Sequence, residues 1–145
     1  MGRPVYFINK NRGRVIIPAK KIISSDAAPP AAGPYSQAVQ AGNFLFLSGQ
    51  LPLDPESGKI KGNDIETQTK QALNNMQAIL SATGLSLSDV VKTTVFLKDI
   101  QHFSRMNEVY KEYFNQDPPA RSCFEVANLP LNALVEIESI ALREE

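Results

Sequence analysis

The sequence has few of the residues on which many enzymes build their chemistry. Among 145 residues it contains one cysteine, one histidine and no tryptophan. A single cysteine excludes an internal disulfide framework and a cysteine-rich zinc site. A single histidine argues against a histidine-based metal site and against a Ser-His-Asp triad. The chemistry of this chain must therefore use carboxylates, arginine, tyrosine, asparagine, serine, the lone thiol or backbone groups.

The chain also lacks an apolar run of the roughly 18–20 residues that cross a membrane. Hydrophobic residues make up 43% and charged residues 21% of the sequence, which is typical of a globular protein rather than a disordered one. A length of 145 residues fits one domain. We therefore expect a single globular domain in the cytoplasm, with no membrane partner.

The formal net charge is zero, but the charges are unevenly distributed. Residues 1–25 contain six basic residues and no acidic one, whereas residues 26–145 contain nine basic and fifteen acidic residues, a net charge of −6. An acidic surface binds phosphate backbones poorly. Nucleic acid is therefore an improbable partner, and any affinity for it would reside in the basic N-terminal arm.

Residues 1–20 are predicted to be a basic extension outside the core, and residues 21–145 to be the functional domain. The extension lacks the continuous apolar stretch of a secretory signal. Organelle targeting is possible but not favoured, because the segment contains no serine and is only weakly amphipathic. The other interpretations are an artificial leader, a misassigned start and an added strand at Val15-Ile16-Ile17.

The pattern of apolar residues predicts a mixed α+β chain. Helices are expected over about 64–83 and 103–114, where apolar positions recur at the helical spacing. Asn63 is the predicted N-cap of the first helix, Glu66 completes a capping box, and Gly84 ends the helix. Strands are predicted over about 21–24, 35–41, 44–48, 90–98, 121–127 and 134–142, with a hairpin over 51–61. This order predicts two helices on one face of a mixed sheet.

The last two strands alternate apolar and polar residues, which predicts two distinct faces. The residues that face the helices are predicted to be apolar: Phe124, Val126, Val135 and Ile137. The opposite face is predicted to carry an arginine, the thiol and three carboxylates: Arg121, Cys123, Glu125, Glu136 and Glu138. Such a face is either the solvated side of an open sheet or a charged cleft against another subunit. The usual burial of free cysteine favours the cleft.

Six blocks of sequence follow one another between about Lys20 and the C-terminus. They are Gly33–Ala38, Ser48–Pro52, Val91–Asp99, Pro119–Cys123, Leu129-Pro130 and Val135–Ala141. In order and spacing they resemble the RidA/YjgF family of reactive-intermediate (enamine/imine) deaminases. The intact Arg-Ser-Cys and Glu-Ile-Glu blocks are similar to the RidA subfamily itself.

The resemblance implies a chorismate-mutase-like subunit that assembles as a homotrimer, with a central barrel of sheets and clefts between subunits. It implies hydrolysis, without a cofactor, of 2-iminobutanoate, 2-iminopropanoate and their enamine forms to 2-oxo acids and ammonium. This reaction protects pyridoxal-phosphate enzymes, and its ligand is a small imino or 2-oxo acid. An endoribonuclease or translation-inhibitor activity, and a non-catalytic ligand-binding or chaperone-like trimer, remain as alternatives.

The resemblance also implies the site residues. Arg121 would bind the substrate carboxylate through two parallel hydrogen bonds, although a structural ion pair with Glu125 is the alternative. Glu136 would position the attacking water or move protons to the leaving nitrogen, although it could also be an ordinary surface charge. The other residues expected to bind substrate are Tyr35, Ser48, Gly49, Asn107 and Cys123. Cys123 is interpreted as lining the pocket rather than as a nucleophile, and Glu138 as structural.

Overall fold

The computed structural model describes residues 20–144 in full, together with the backbone of two strands nearer the N-terminus. Those strands, β1 (Val5–Ile8) and β2 (Arg14–Ile17), pair with each other in antiparallel orientation. The strand predicted at 15–17 lies within β2. The rest of the N-terminal extension lies outside the described residues, and the division at residue 20 stays a prediction.

The rest of the described chain contains one six-stranded sheet and two α-helices. The strands are β3 (Lys21–Ile23), β4 (Ala38–Ala41), β5 (Phe44–Gln50), β6 (Val90–Leu97), β7 (Ala120–Glu125) and β8 (Val135–Leu142). The helices are α1 (Ile65–Ser81) and α2 (Phe103–Tyr113). The strand order is β3-β4-β5-β8-β6-β7, in which only β6 and β7 are parallel. The predicted α+β class with a mixed sheet is confirmed.

The start of α1 differs from the prediction. The N-cap is Asp64 rather than Asn63, because the Asp64 carboxylate accepts a hydrogen bond of 2.8 Å from the Thr67 N–H. Glu66 does not complete a capping box; its two carboxylate oxygens instead bind Arg105 of α2. A carboxylate at the cap also interacts favourably with the positive end of the helix dipole.

The end of α1 agrees with the prediction. Gly84 adopts a φ of 76°, in the left-handed region. Its N–H donates to the Ser81 carbonyl, and the Leu85 N–H donates to the Leu80 carbonyl. These are the paired hydrogen bonds of a Schellman motif, which glycine accommodates without strain.

Both helices cover the same face of the sheet. The side chains buried between them and the strands include Leu45, Leu73, Met76, Leu80, Val95, Leu97, Met106 and Ile137. α2 lies over β6, where the Tyr110 hydroxyl and the Thr93 hydroxyl are 2.7 Å apart. The opposite face of the sheet is open and presents exposed aromatic rings, among them Phe44, Phe46 and Phe124. We refer to this side as the open face.

Two irregular segments shape one end of the sheet. The strand predicted from residue 35 begins only at Ala38, because the Tyr35 N–H donates to the Gly33 carbonyl in a tight turn. The connection between β7 and β8 contains a short 3-10 turn, Pro130–Asn132, in which Leu131 and Asn132 have positive φ. Both segments project their residues toward the end of β5.

Candidate active site

A cavity of about 610 Å³ lies where the C-terminal end of β5 meets the start of β8. Four residues that the sequence predicted as site residues line this cavity: Tyr35, Ser48, Gly49 and Glu136. They come from a loop, the end of one strand and the start of another. The fold therefore brings these four together from three separate parts of the chain.

The Glu136 carboxyl group lies directly against the backbone of Gly49. A Cβ atom on residue 49 would collide with Glu136 Oε1 and would lie 2.9 Å from Glu136 Cδ. Any residue other than glycine would therefore displace the carboxyl group. The absence of a side chain at Gly49 therefore makes room for a side chain of the same protein, that of Glu136.

Tyr35 and Ser48 are held by hydrogen bonds to the loop that precedes β4. The Tyr35 ring is 54% exposed, and its hydroxyl oxygen accepts a hydrogen bond of 3.2 Å from the Ala32 N–H. The Ser48 hydroxyl donates to the Ser36 carbonyl at 2.6 Å, and its N–H donates to the Gln37 carbonyl at 3.0 Å. The Tyr35 hydroxyl proton remains free to reach a ligand.

The other three predicted residues, Asn107, Arg121 and Cys123, form a second cluster between α2 and β7. The Arg121 Nη1 donates a hydrogen bond of 2.7 Å to Asn107 Oδ1. The central guanidinium carbon lies 4.7 Å from the centre of the Tyr110 ring and 5.6 Å from that of Phe103. The Asn107 amide and the faces of the two rings thus fix the plane of the half-buried Arg121 guanidinium group.

Arg121 has no carboxylate partner among the described residues. The ion pairs found in that part of the chain join Arg105 to Glu66 and Lys111 to Glu108. The alternative interpretation of Arg121 as the partner of Glu125 is therefore wrong. A positive charge that is fixed in place but not neutralised is suited to binding an anionic ligand.

Cys123 packs against the edge of the hydrophobic core and is half-buried. Burial raises the pKa of its thiol, and the opposing effect of Arg121 is smaller. The thiol is therefore protonated near neutral pH, which is unsuited to nucleophilic attack.

The prediction that Arg121, Cys123 and Glu125 share a face with Glu136 and Glu138 is wrong. Residues paired across a sheet project to the same side. Val95 of β6 pairs with both Ile137 and Cys123, and Val95 is buried under the helices. Arg121 and Glu125, two residues on either side of Cys123, therefore also point to the helix side.

Phe124, predicted to face the helices, lies on the open face. Phe96 of β6 pairs with both Glu136 and Phe124. Phe124 is 46% exposed, and its ring meets that of Phe96 edge-on with centroids 5.4 Å apart. The alternation along each strand was predicted correctly. Which side of β7 faces the helices depends on its register with β6, and a single strand carries no such information.

The surroundings of Glu136 on the open face raise the pKa of its carboxyl group. Burial raises the pKa of Glu136, and repulsion by the Glu138 carboxylate raises it further. Arg121 of the same chain lies on the other face of the sheet and does not contribute to this shift. A carboxyl group whose pKa is raised can exchange a proton closer to neutral pH.

Sequence reasoning missed residues that support the predicted ones. Gln37 is buried beside the cavity; its amide nitrogen donates to the Pro29 carbonyl at 2.8 Å, and its amide oxygen accepts from the Ser25 N–H at 2.6 Å. Its place inside the Gly33–Ala38 block was the available signal. Tyr110 and Phe103, which contact Arg121, lie in the second predicted helix and were not predicted as site residues.

The described part of the chain has neither a helix suited to a membrane nor a cluster of metal-ligating side chains. No helix there is long and apolar enough to cross a membrane. No group of three or more His, Cys, Asp or Glu residues within the same part of the chain is arranged to hold a metal ion. The cytoplasmic location stays a prediction.

Comparison with known proteins shows close relatives. A family model described as Endoribonuclease L-PSP matches residues 25–143. A RutC family protein of Pyrococcus horikoshii is 54% identical over 86% of this chain and 99% of its own length. The human 2-iminobutanoate/2-iminopropanoate deaminase is 45% identical over 86% of this chain and 90% of its own. The crystal structure of Escherichia coli TdcF with bound serine has a TM-score of 0.82 and 45% identity, covering 86% of this chain and 99% of TdcF.

Proposed function

The chain belongs to the Endoribonuclease L-PSP family, also known as YjgF/RidA, and from this premise we propose that it hydrolyses 2-imino acids to 2-oxo acids and ammonium. The substrates are 2-iminobutanoate, 2-iminopropanoate and their enamine forms, and no cofactor takes part. The name of the human relative supports the reaction, and the serine bound to TdcF supports a small ligand that carries a carboxylate. The observation that carries the proposal is Arg121, a fixed guanidinium without a carboxylate partner in the described chain.

The complete site forms between two copies of the chain. Glu136 lies on the open face and Arg121 on the helix face, with β6 between their strands. One chain therefore cannot present both side chains to one small substrate. In the proposed assembly, the Arg121 cluster of one copy closes the cavity of the next. The exposed aromatic rings of the open face support burial in such a contact, and the family resemblance implies three copies.

The roles of the residues follow from the chemistry of a C=N bond. Arg121 binds the substrate carboxylate through the guanidinium N–H groups that Asn107 does not occupy. Water adds to the imine carbon while the π electrons move to nitrogen, which gains a proton. The resulting carbinolamine expels ammonia as its hydroxyl proton leaves, and a 2-oxo acid remains.

Glu136 is the group that moves these protons. As a carboxylate it accepts a proton from the attacking water, and as the acid it donates that proton to the nitrogen. Its raised pKa brings its proton exchange closer to neutral pH. The hydroxyl of Tyr35 and the backbone at Ser48 and Gly49 complete the wall around the reacting atoms.

The assembly has a direct test. We expect a mass by light scattering of three times the 15.9 kDa of the chain. Phe46→Glu places a charge on the open face and should yield monomers that lack activity. Ser81→Glu, on the exposed end of α1, is the matched control and should remain an active trimer. Full activity in a monomeric Phe46→Glu protein would contradict the composite site.

Gly49→Ala tests the contact between Gly49 and Glu136. The added methyl group should displace the carboxyl group and lower kcat/KM by about 100-fold. The thermal midpoint should change little, because the displaced atoms are the end of a flexible side chain. In a Glu136→Gln background, Gly49→Ala should lower kcat/KM only slightly further. Equal losses in both backgrounds would show that Gly49 acts independently of Glu136.

RNA is not proposed as a substrate, although the family description names an endoribonuclease. The net charge of −6 over residues 26–145 opposes binding to a phosphate backbone. If RNA binding were observed and then lost on deletion of residues 1–20, it would reside in the basic arm.

A further inference from the structure

The polarity of the residues that line the cavity depends on the part of the fold to which they belong. The strand ends contribute polar groups, among them Ser48 and Glu136. The loop before β4, the segment that follows β5 and the turn before β8 contribute an apolar wall: Pro29, Pro30, Leu51, Leu53, Pro130 and Leu131. The reacting carbon of a 2-imino acid bears a nitrogen, a carboxylate and a side chain. Glu136 exchanges protons with the nitrogen and Arg121 binds the carboxylate. The apolar wall is therefore the surface that remains to contact the side chain.

Leu131 stands out within this wall. It is 65% exposed, so it contributes little to the core. Its φ of 54° and ψ of 22° lie in the left-handed region, which is unfavourable for leucine and open to glycine. Neither packing within the chain nor backbone preference explains a leucine at this position, and a strained residue at a cavity is a candidate for function.

The turn that carries Leu131 is held on both sides. The Ala133 N–H donates to the Pro130 carbonyl at 3.1 Å. The Asn132 amide oxygen accepts a hydrogen bond from Lys98 Nζ. The Leu134 N–H then donates to the buried Gln68 amide oxygen at 2.8 Å. Leu131 is therefore presented to the cavity from a fixed position.

We propose that Leu131 is a specificity-determining residue that contacts the side chain of the 2-imino acid. The favoured substrates are imines with aliphatic side chains longer than the two carbons of 2-iminobutanoate. The apolar wall offers such side chains a contact surface beside the reacting carbon. The inference rests on the proposed function for its substrate class, but contact with Leu131 can be measured without turnover.

The test measures the affinity of the full chain for stable 2-oxo acids of increasing length by calorimetry. The probes are pyruvate, 2-oxobutanoate and 2-oxohexanoate. For the natural chain, affinity should rise about fourfold for each methylene group that reaches the wall. Leu131→Gly should bind pyruvate within twofold of the natural chain but lose most of the dependence on length. Leu131→Asn, which keeps a residue tolerant of left-handed backbone, should behave in the same way.

Thermal stability separates this role from a structural one. Leu131→Gly relieves an unfavourable backbone conformation, so its thermal midpoint should equal or exceed that of the natural chain. Ile100→Asn replaces an exposed apolar residue that does not line the cavity and should keep the full dependence on length. An unchanged dependence on length in both Leu131 variants, or an equal loss of pyruvate binding, overturns the proposal.

A parallel assay distinguishes failure of this inference from failure of the proposed function. An amino-acid oxidase generates the corresponding imines from alanine, 2-aminobutyrate and norleucine, and the release of 2-oxo acid is followed. If 2-oxo acids bind with the expected dependence on length but no imine is hydrolysed faster, the proposed function fails and the role of Leu131 stands. If no 2-oxo acid binds, both fail.

Discussion

Replacing Arg121 with alanine is expected to lower kcat/KM for imine hydrolysis by about a thousandfold or more, with the fold and the assembly intact. The substitution removes the charge and the planar donors that orient the substrate carboxylate. The residue is only half-buried at the edge of the sheet, so the core does not depend on it. The measurement is the release of 2-oxobutanoate from an imine generated in situ, with size and circular dichroism recorded for the same samples.

Two further variants test whether the planar guanidinium group of Arg121, and not merely a positive charge, is required. Arg121→Lys keeps the positive charge but loses the planar fork, so it should recover only part of the activity. Arg105→Ala is the matched control, because Arg105 lies on the same helix as Asn107 and is already paired with Glu66. It should stay within about twofold of the natural chain. If Arg121→Ala retained activity, the substrate carboxylate would have to bind elsewhere.

Replacing Glu136 with glutamine should lower kcat by about 10²–10⁴-fold while 2-oxo acids continue to bind. The amide keeps the shape of the side chain but cannot accept a proton from water. Because the substitution also removes a half-buried charge and its repulsion by Glu138, the variant should be no less stable than the natural chain. An unchanged kcat would contradict the proton-transfer role.

The pH dependence gives a second test of Glu136. Its carboxylate is the form that accepts the first proton, so activity should fall as the pH falls through its pKa. Burial and Glu138 raise that pKa, so the acidic limb should lie at higher pH than for an ordinary glutamate. Glu138→Gln removes one of the two causes and should move the limb to lower pH. A limb that does not move would show that another group controls it.

The order and type of the main elements could be predicted from the sequence. Both helices, the strand over Val90–Leu97 and the last two strands lie where apolar spacing placed them. These are local properties, set by side-chain periodicity and by turn residues such as Gly84. The ends of the elements were predicted less accurately. Asp64 rather than Asn63 caps α1, and the sequence could not distinguish them because both residue types are good N-caps.

The sequence predicted individual candidate site residues but not their positions relative to one another. The six sequence blocks resembled the family to which the chain belongs, and they contain every predicted site residue except Asn107. The spacing of residues along β7 and β8 suggested one shared charged face. The structure instead separates Arg121 from Glu136 and exposes Phe124, because pairing with β6 sets the orientation of β7.

What the sequence alone determined is therefore the set of elements, the alternation along each strand and the identity of the chemical groups. All of these depend on residues close together in the chain. The tertiary structure decided which face each strand turns to the helices, that Glu136 packs on Gly49, and that Arg121 is held by Asn107 and Tyr110. These contacts join residues far apart in the chain. A strand such as β7, whose two faces are both partly apolar, could turn either face to the helices, and its pairing with neighbouring strands decides which.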